Sequence, residues 1–444
     1  MERKKIVIAS FWVVGAFGLS QVLRLASNLV VTRLLEPELF GLMAIVFVIM
    51  HGLAMFSDLG LWAFVVRHKE AINKEMLDTV WTIQVIRGWV IFVLIAFSAF
   101  LIWVGEVYWD YKLYGIYGDD KFPVILLIAS IVPVLAGYKT MAPALESRKL
   151  KRGKLELVEL VAQVSAAIVM ITWAWFRPTI WALVSAGIVS AVVRLSLIYF
   201  FFPLRHHFKW NKKIVAEVYD FGKWIVFASV LTYIAGQGDR LFFGASITAT
   251  QLGIYSVAFM LANTINSIMN QLATKVLFPV FSGLVHGERT ILKKAYYSAR
   301  LRLDIVTFSL AGVLLAIAPV IIEFLYDERY YEAGSMLQIL VFSIIGSAFS
   351  ITALECLSAL SITKVRMQVM LVRSLGLLIG LPVCFSLYGF YGALWVVATN
   401  IWLGLPLIFW VMYKQSVLSL LSEIKAIPLF ISGYYLGILL VNGL

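Results

Sequence analysis

The chain has 444 residues, 61% hydrophobic and 14% charged, with a net charge of +12 and a mean hydropathy of +0.91. A water-soluble globule of this composition has too little polar surface to cover itself, which excludes a soluble enzyme or binding module and implies an integral membrane protein. Apolar stretches of bilayer-spanning length recur along the whole chain, and none alternates polar with apolar residues as barrel strands do, so the class is all-α and polytopic.

In chain order the predicted spans fall at 8–34, 39–66, 79–105, 122–145, 155–176, 179–203, 219–246, 251–283, 303–325, 333–361, 367–388 and 391–413. A shorter apolar segment, 427–441, with Pro428 and two glycines, is a candidate thirteenth. Starting inside with "MERKK", the inner segments hold 24 Lys or Arg, whereas the outer loops hold four: Lys112, Lys121, Arg177 and Arg329. Basic residues are retained in cytoplasmic loops, so the expectation is a multi-pass protein of the cytoplasmic (inner) membrane with its N-terminus in the cytoplasm. The positive charge then reflects topology and anionic headgroups; nucleic acid is not an expected partner. No small-residue cleavage site follows the first apolar run, which reads as a retained helix.

Chemistry-bearing motifs are sparse. Cys356 and Cys384 both fall inside spans and suggest neither a disulfide framework nor a metal site. No phosphate loop, H-E-x-x-H pair or C-x-x-C is present, so neither ATP hydrolysis nor any cofactor is expected and the chain does not read as an enzyme. The largest outer loop, "GEVYWDYKLYGIYGDDK", carries Glu106, Asp110, Asp119 and Asp120. Glycosyl transfer needs carboxylates fixed at defined separations, which nothing in this loop provides, so it reads as a solvated acidic loop.

Nine basic residues remain within or at the ends of spans: Arg24, Arg33, Arg87, Lys139, Arg194, Lys223, Arg240, Lys275 and Arg373. The clearly intramembrane acids are fewer: Asp58, Glu159, Asp239 and Glu355. A charge at the bilayer centre costs at least about 2.5–3.5 kcal/mol, so such residues face a bundle interior or a wet cavity, and an excess of bases there suggests an anionic cargo.

Helical projection at about 100° per residue places Ser20, Gln21, Arg24, Ser27 and Asn28 on one stripe. Ser229, Thr232, Gly236, Asp239 and Arg240 form a second stripe, and Asn263, Asn266, Ser267, Asn270 and Thr274 a third, with Lys275 to one side. Ser343, Gly346, Ser347 and Ser350 form a fourth. His51 with Asp58, and Arg366 with Arg373, are seven residues apart and project on nearly one face, as do Gln84 with Arg87, and Glu156 and Glu159 with Gln163. Lipid does not tolerate so many polar stripes; they converge on one another or on an aqueous cavity. The competing reading is that small and polar residues are interhelical glue, that basic residues near inner ends snorkel, and that His51 is a packing histidine rather than a proton-coupling group.

"LEPELFGLM" at 35–43 aligns with "ITATQLGIY" at 247–255, which predicts two six-helix halves, 1–210 and 211–415, followed by an inner loop and possible extra segment over 416–444.

"RLLEPELFGLMAIVFVIMHGLAMFSDLGL", "ESRKLKRGKLELVELV" followed by "WALV", and "FGKWIVFASVLTYIAGQGDRLFFGASITATQLGIYSVAF" with "VLFPVFSGL" resemble the polysaccharide transporter (Wzx-type) branch of the multidrug/oligosaccharidyl-lipid/polysaccharide (MOP) exporter superfamily. The resemblance covers residues 10–285 in order. It implies a V-shaped transporter of two pseudo-symmetric six-helix lobes that flips a polyprenyl-diphosphate-linked oligosaccharide by alternating access. A cationic central cavity would hold the diphosphate and sugar while the lipid tail stays among the membrane lipids. Some relatives continue to a fourteenth helix, where this chain ends soon after the thirteenth segment.

On that reading Arg24, with Arg87, Lys139 and Lys275 nearer the inner side, draws in the diphosphate, and Arg240, Arg373, Asn28 and Asn270 complete the cavity. Asp58, Asp239, Glu355 and His51 are the candidate counter-charge and coupling residues. A proton or sodium gradient, the membrane potential, or withdrawal of product by a polysaccharide polymerase and its assembly partners would each drive the cycle. The alternatives are a peptidoglycan-precursor flippase, a drug or cation antiporter, which would favour an acidic cavity, and a membrane-embedded polymerase or glycosyltransferase, which would need catalytic carboxylates on a substantial outer loop.

Overall fold

The computed structural model describes residues 2–68, 73–109, 114–148, 153–285, 287–419, 422–423 and 425–443. Asp110 and Lys112 of the loop expected outside, and Lys69, Lys149, Lys151 and Arg152 of the loops expected inside, lie outside them. Among the described residues every regular element is helical.

The chain divides into two compact units: residues 1–233 with 243–252, and residues 234–242 with 253–444. The first contains α1 (Glu2–Leu34), α2 (Pro37–Phe56), α3 (Leu61–Arg67), α4 (Lys74–Trp109), α5 (Phe122–Ala129), α6 (Ile131–Gly137), α7 (Ala142–Arg148), α8 (Gly153–Phe176), α9 (Trp181–Phe201) and most of α10 (Lys212–Ser246). The second contains the rest of α10, most of α11 (Ala249–Leu272), a π turn (Ala273–Leu277), α12 (Phe278–Leu284), α13 (Arg289–Leu325), α14 (Glu332–Ala359), α15 (Lys364–Thr399), α16 (Leu405–Lys414) and α17 (Ile427–Asn442).

Among the described residues eight helices are long and apolar enough to cross a bilayer, and the bent set α5–α6 with α7 makes a ninth if counted as one span. One of these, Lys364–Lys414, contains both predicted spans 367–388 and 391–413, and Gly389, with a non-helical φ of +65° and ψ of −157°, kinks α15 between them. Helices α1 and α10, of 33 and 35 residues, are longer than a bilayer requires but more polar.

Two spans expected to be continuous are broken. Over 39–66, α2 stops at Phe56 and α3 resumes at Leu61. The cause is local: Ser57 Oγ donates back to the Leu53 carbonyl at 2.6 Å, Asp58 Oδ1 accepts the Gly60 amide at 3.2 Å, and Gly60 adopts φ +66°. Over 122–145 the path bends by 57° between α6 and α7. Asp58 therefore stands outside helix, and the expected common face with His51 does not exist.

In the first unit α4 packs on α3, α5 and α6, and α8 lies between α1 and α9. Gly88 and Gly137 let α4 and α6 close up; a Cβ on Gly88 would stand 2.7 Å from the Pro133 carbonyl. In the second unit α13 begins at Arg289, well before the predicted span at 303, and packs against α14 and α17. The α13–α17 contact runs on Gly312, Gly433 and Gly437: a Cβ on Gly312 would lie 2.7 Å from the Tyr434 nitrogen.

Candidate functional site

The first unit is organised by one face of α4. Gln84 Nε2 donates to the carbonyls of Ala136, Gly137 and Lys139 at 3.2, 2.8 and 2.9 Å, satisfying the open end of α6. One turn on, Arg87 does the same for α2: it donates to the Ala54 carbonyl at 2.9 Å, to Ser57 Oγ at 3.0 Å and to Asp58 Oδ1 at 3.1 Å. At the helix's start buried Asp78 lies 3.0 Å from His206 Nδ1, and His206 Nε2 lies 2.9 Å from Thr140 Oγ1 and accepts the Met141 amide at 3.2 Å. Both breaks in the membrane helices are thus held by side chains of α4 or by a histidine that α4 positions.

Of the predicted site residues, Arg24, Asn28, His51, Asp58, Arg87 and Lys139 belong to this unit. Arg24 is exposed on α1 and makes no ion pair or side-chain hydrogen bond among the described residues. Its stripe is partly glue: Ser20 Oγ donates to Gln163 Oε1 at 2.5 Å, and Gln163 Nε2 returns a bond to the Ser20 carbonyl at 2.9 Å. Asn28 Oδ1 is buried without a partner among the described residues. Exposed His51 packs its ring 6.4 Å from that of Tyr233. Glu159, one turn before Gln163 on regular α8, pairs with Arg194 of α9 at 2.7 Å, so the shared face serves two different neighbours. Lys139 stands in the break between α6 and α7, with Arg194 and Glu159 as charged neighbours.

The second unit brings together two of the sequence stripes and the Arg366–Arg373 pair. A cleft of about 250 Å³ is lined by Asn263, Asn266, Ser267 and Asn270 of α11, by Ser347, Ser350 and Glu355 of α14, and by Arg366 and Arg373 of α15. Arg366 Nη2 donates to buried Glu355 Oε1 at 2.8 Å, and Thr274 Oγ1, in the π turn, lies 3.4 Å from the same oxygen. Arg373 meets no carboxylate, and its Nε, like Asn266 Oδ1, is a buried polar atom without a partner among the described residues. Two residues of the α14 stripe do other work: Ser343 Oγ bonds its own helix at Leu340, and Gly346 makes room for Trp402, whose Nε1 would stand 2.8 Å from a Cβ there.

The other predicted residues of this unit do not line the cleft. Asp239 is buried and accepts the Tyr255 hydroxyl; among the described residues no ion pair with a basic side chain is formed there. Arg240 donates to Gln237 Oε1 at 2.5 Å and stacks with its guanidinium carbon 4.2 Å from the Phe259 ring centroid. Lys275 is half-buried in the π turn, a distortion frequent at functional sites. Among the described residues no cluster of His, Cys, Asp and Glu has the geometry of a metal site.

One buried network was not expected. Arg300, counted in the sequence as an inner-loop cation, is 1% exposed inside α13. It pairs with Asp304 at 3.2 Å and with Glu423, and donates to Tyr296 Oη at 3.0 Å. Tyr297 donates to Glu423 Oε1 at 3.0 Å and receives the Ser419 amide at 2.7 Å.

These features sit on a sequence that a family model described as polysaccharide biosynthesis protein matches over residues 30–335, well over half of the chain. The chain belongs to this polysaccharide biosynthesis protein family. It is 23% identical over 340 residues to the lipopolysaccharide biosynthesis protein WzxC of Escherichia coli, covering 76% of this chain and 66% of that one. It is 22% identical to the succinoglycan biosynthesis transport protein ExoT of Rhizobium meliloti, covering 74% and 63%. In both, the match spans less than two thirds of the relative's own length. Among solved structures, the lipid II flippase MurJ in an inward closed conformation matches with a TM-score of 0.78 at 13% identity, over 98% of this chain and 93% of that one. An inward-facing MATE family multidrug transporter matches with a TM-score of 0.64 at 14% identity, over 92% and 95%. The fold of this polysaccharide biosynthesis protein is therefore that of MOP superfamily transporters, and the chain is a multi-pass membrane protein.

Proposed function

We propose that the protein is a flippase that moves polyprenyl-diphosphate-linked oligosaccharide units across the cytoplasmic membrane by alternating access, for assembly of a cell-surface polysaccharide. In this reading it crosses the inner membrane twelve times with its N-terminus in the cytoplasm, in two six-helix lobes, and carries out no covalent chemistry. The observation that carries the reading is a pair of arginines on membrane helices, Arg24 and Arg240, that have no carboxylate partner among the described residues. Keeping cations unpaired on such helices is costly unless a ligand brings negative charge. A diphosphate brings it, and the guanidinium fork binds phosphate oxygens in pairs.

Arg24, Arg87 and Lys139, all of the first unit, take the diphosphate in this scheme. Arg87 is held by Asp58 and Arg366 by Glu355, each at hydrogen-bonding distance. Exchange of carboxylate for phosphate gives loaded and empty states different internal pairings, which is the differential interaction a conformational cycle needs. The family membership and the relatives' names, a lipopolysaccharide biosynthesis protein and a succinoglycan biosynthesis transport protein, support the cargo class. A proton or sodium gradient, or consumption of the product by a polymerase, supplies direction.

The test is deletion of the gene in its host with analysis of lipid-linked intermediates on each leaflet. Complete repeat units are expected to build up on the inner leaflet, to clear on complementation with the wild-type chain, and to persist with Arg24→Ala inserted at normal level. Complete but unpolymerised units on the outer face would sink the flippase reading in favour of a polymerase.

A further inference from the structure

The cleft inside the second unit does not have the composition of a phosphate site. A diphosphate accepts hydrogen bonds and, when ionised, donates none, so it is met by donors alone. This cleft sets groups able to accept beside its donors: the carboxamides of Asn263, Asn266 and Asn270 and the carboxylate of Glu355. A metal cation is no better match, because Arg366 already occupies Glu355 at 2.8 Å and Arg373 adds a second positive charge. Amides both donate and accept, and the ligand that complements a row of them is one whose own groups do both, which is to say one built of hydroxyls. The buried Asn266 Oδ1 and Arg373 Nε, an acceptor and a donor without partners among the described residues, belong to residues that line this cleft. Its volume of about 250 Å³ suits a single ring, being below the roughly 300–1,000 Å³ of pockets that take drug-sized ligands.

We infer that this cleft is a sugar-reading subsite: it takes one hydroxyl-bearing ring of the transported oligosaccharide, and the asparagine row of α11 reads its hydroxyl pattern. The inference rests on the flippase reading and adds to it a separate determinant of glycan choice. A site that pairs its buried polar atoms with substrate hydroxyls discriminates strongly against a molecule that lacks them, because those atoms are then left unpaired. The arginines and lysine assigned to the diphosphate confer no such choice, since that group is common to every cargo of the class.

The test uses the full chain in lipid nanodiscs and two probes, undecaprenyl diphosphate bearing the host's repeat unit and undecaprenyl diphosphate without sugar. Wild type is expected to prefer the sugar-bearing lipid by tenfold or more, and Asn263→Ala with Asn266→Ala to reduce that preference at least tenfold. The readout is a ratio of two affinities on one sample, so a fraction of misfolded protein cannot imitate it. Asn263 is exposed, and Asn263→Ala alone, which removes no packing, is expected to cut the ratio about threefold. An unchanged ratio in the double variant overturns the subsite. So does a proportional loss of both affinities, which would make the cleft a diphosphate site. A wild-type chain that binds neither lipid overturns the flippase reading itself and is seen before any variant is compared.

Discussion

Arg87 is the side chain on which the geometry of α2 most depends. Its three donations end on groups that no helix satisfies: the Ala54 carbonyl, Ser57 Oγ and Asp58. Lysine, with one compact ammonium in place of a planar fork, cannot reproduce that spread. Arg87→Ala leaves a carbonyl and a half-exposed carboxylate unmatched and is expected to cost about 1–3 kcal/mol. Adding Asp58→Asn removes the orphaned charge, so the double variant should recover part of the loss in thermal unfolding of the purified protein; strictly additive losses would show that the two residues are not coupled. His206 provides a residue-scale pH dependence. The Met141 amide donates to Nε2, so the imidazole proton sits on Nδ1 facing Asp78. Burial pushes the His206 pKa below its usual value, with His207 and Lys74 acting the same way and Asp78 opposing. The unfolded chain thus binds the proton more readily, and the stability held by neutral His206 declines as pH falls below about 6.5. Wild type should lose more melting temperature between pH 7 and pH 5 than His206→Gln, which keeps a neutral polar group at that site. Equal losses would show that His206 does not titrate on unfolding.

The elements follow from short local signals set within long apolar runs. Gly389 holds φ +65° with ψ −157°, a region essentially closed to L residues, and there α15 turns from one predicted span to the next. Gly389→Ala is therefore expected to cost about 1–3 kcal/mol, whereas Gly187→Ala, at a helical position with nothing within 4 Å of the added Cβ, should be neutral or slightly stabilising. Comparison of the two melting temperatures checks this, and a neutral Gly389→Ala would mean that α15 can straighten. The division of the chain near 389 was legible because an aromatic-glycine cluster, "LYGFYGALW", interrupts the run. The row Asn263 to Asn270 was legible because α11 is regular there and projection at 100° holds. The break at Ser57–Gly60 was not, since "SDLG" is four residues in a long apolar stretch and hydropathy averages over it. Asp78 with His206 and Arg300 with Glu423 were invisible for another reason. One member of each pair comes from a segment whose charge density marks it as an inner loop, and its partner lies far along the chain, 128 residues away for His206. Periodicity describes which face a residue takes on its own helix and carries no information on such distant partners.

At the scale of the whole molecule, the residues beyond α16 are part of the second unit's structure. Helix α17 lies on α13 through glycines that leave no room for a side chain, and the segment before it delivers Glu423 to Arg300 while Lys293 Nζ donates to the Leu418 carbonyl at 3.0 Å. The ionic core is almost fully shielded, with side-chain exposures of 1% for Arg300 and 7% for both Asp304 and Glu423. Removing the base leaves two buried carboxylates facing each other, so Arg300→Met is expected to cost about 3–5 kcal/mol, the range for breaking a buried ion pair from one side. Glu423→Gln keeps a polar group for Tyr297 and leaves Arg300 with Asp304, so it should cost distinctly less. Deleting 416–444 removes Glu423 and also uncovers the glycine face of α13, and its cost should exceed that of Glu423→Gln because apolar packing is lost along with the charge. The order in thermal unfolding is thus wild type, then Glu423→Gln, then Arg300→Met and the deletion together at the bottom. A deletion variant that melts with the wild type would contradict this, because an α13 that does not need α17 would have no reason to carry Gly312 where a Cβ meets the Tyr434 nitrogen at 2.7 Å.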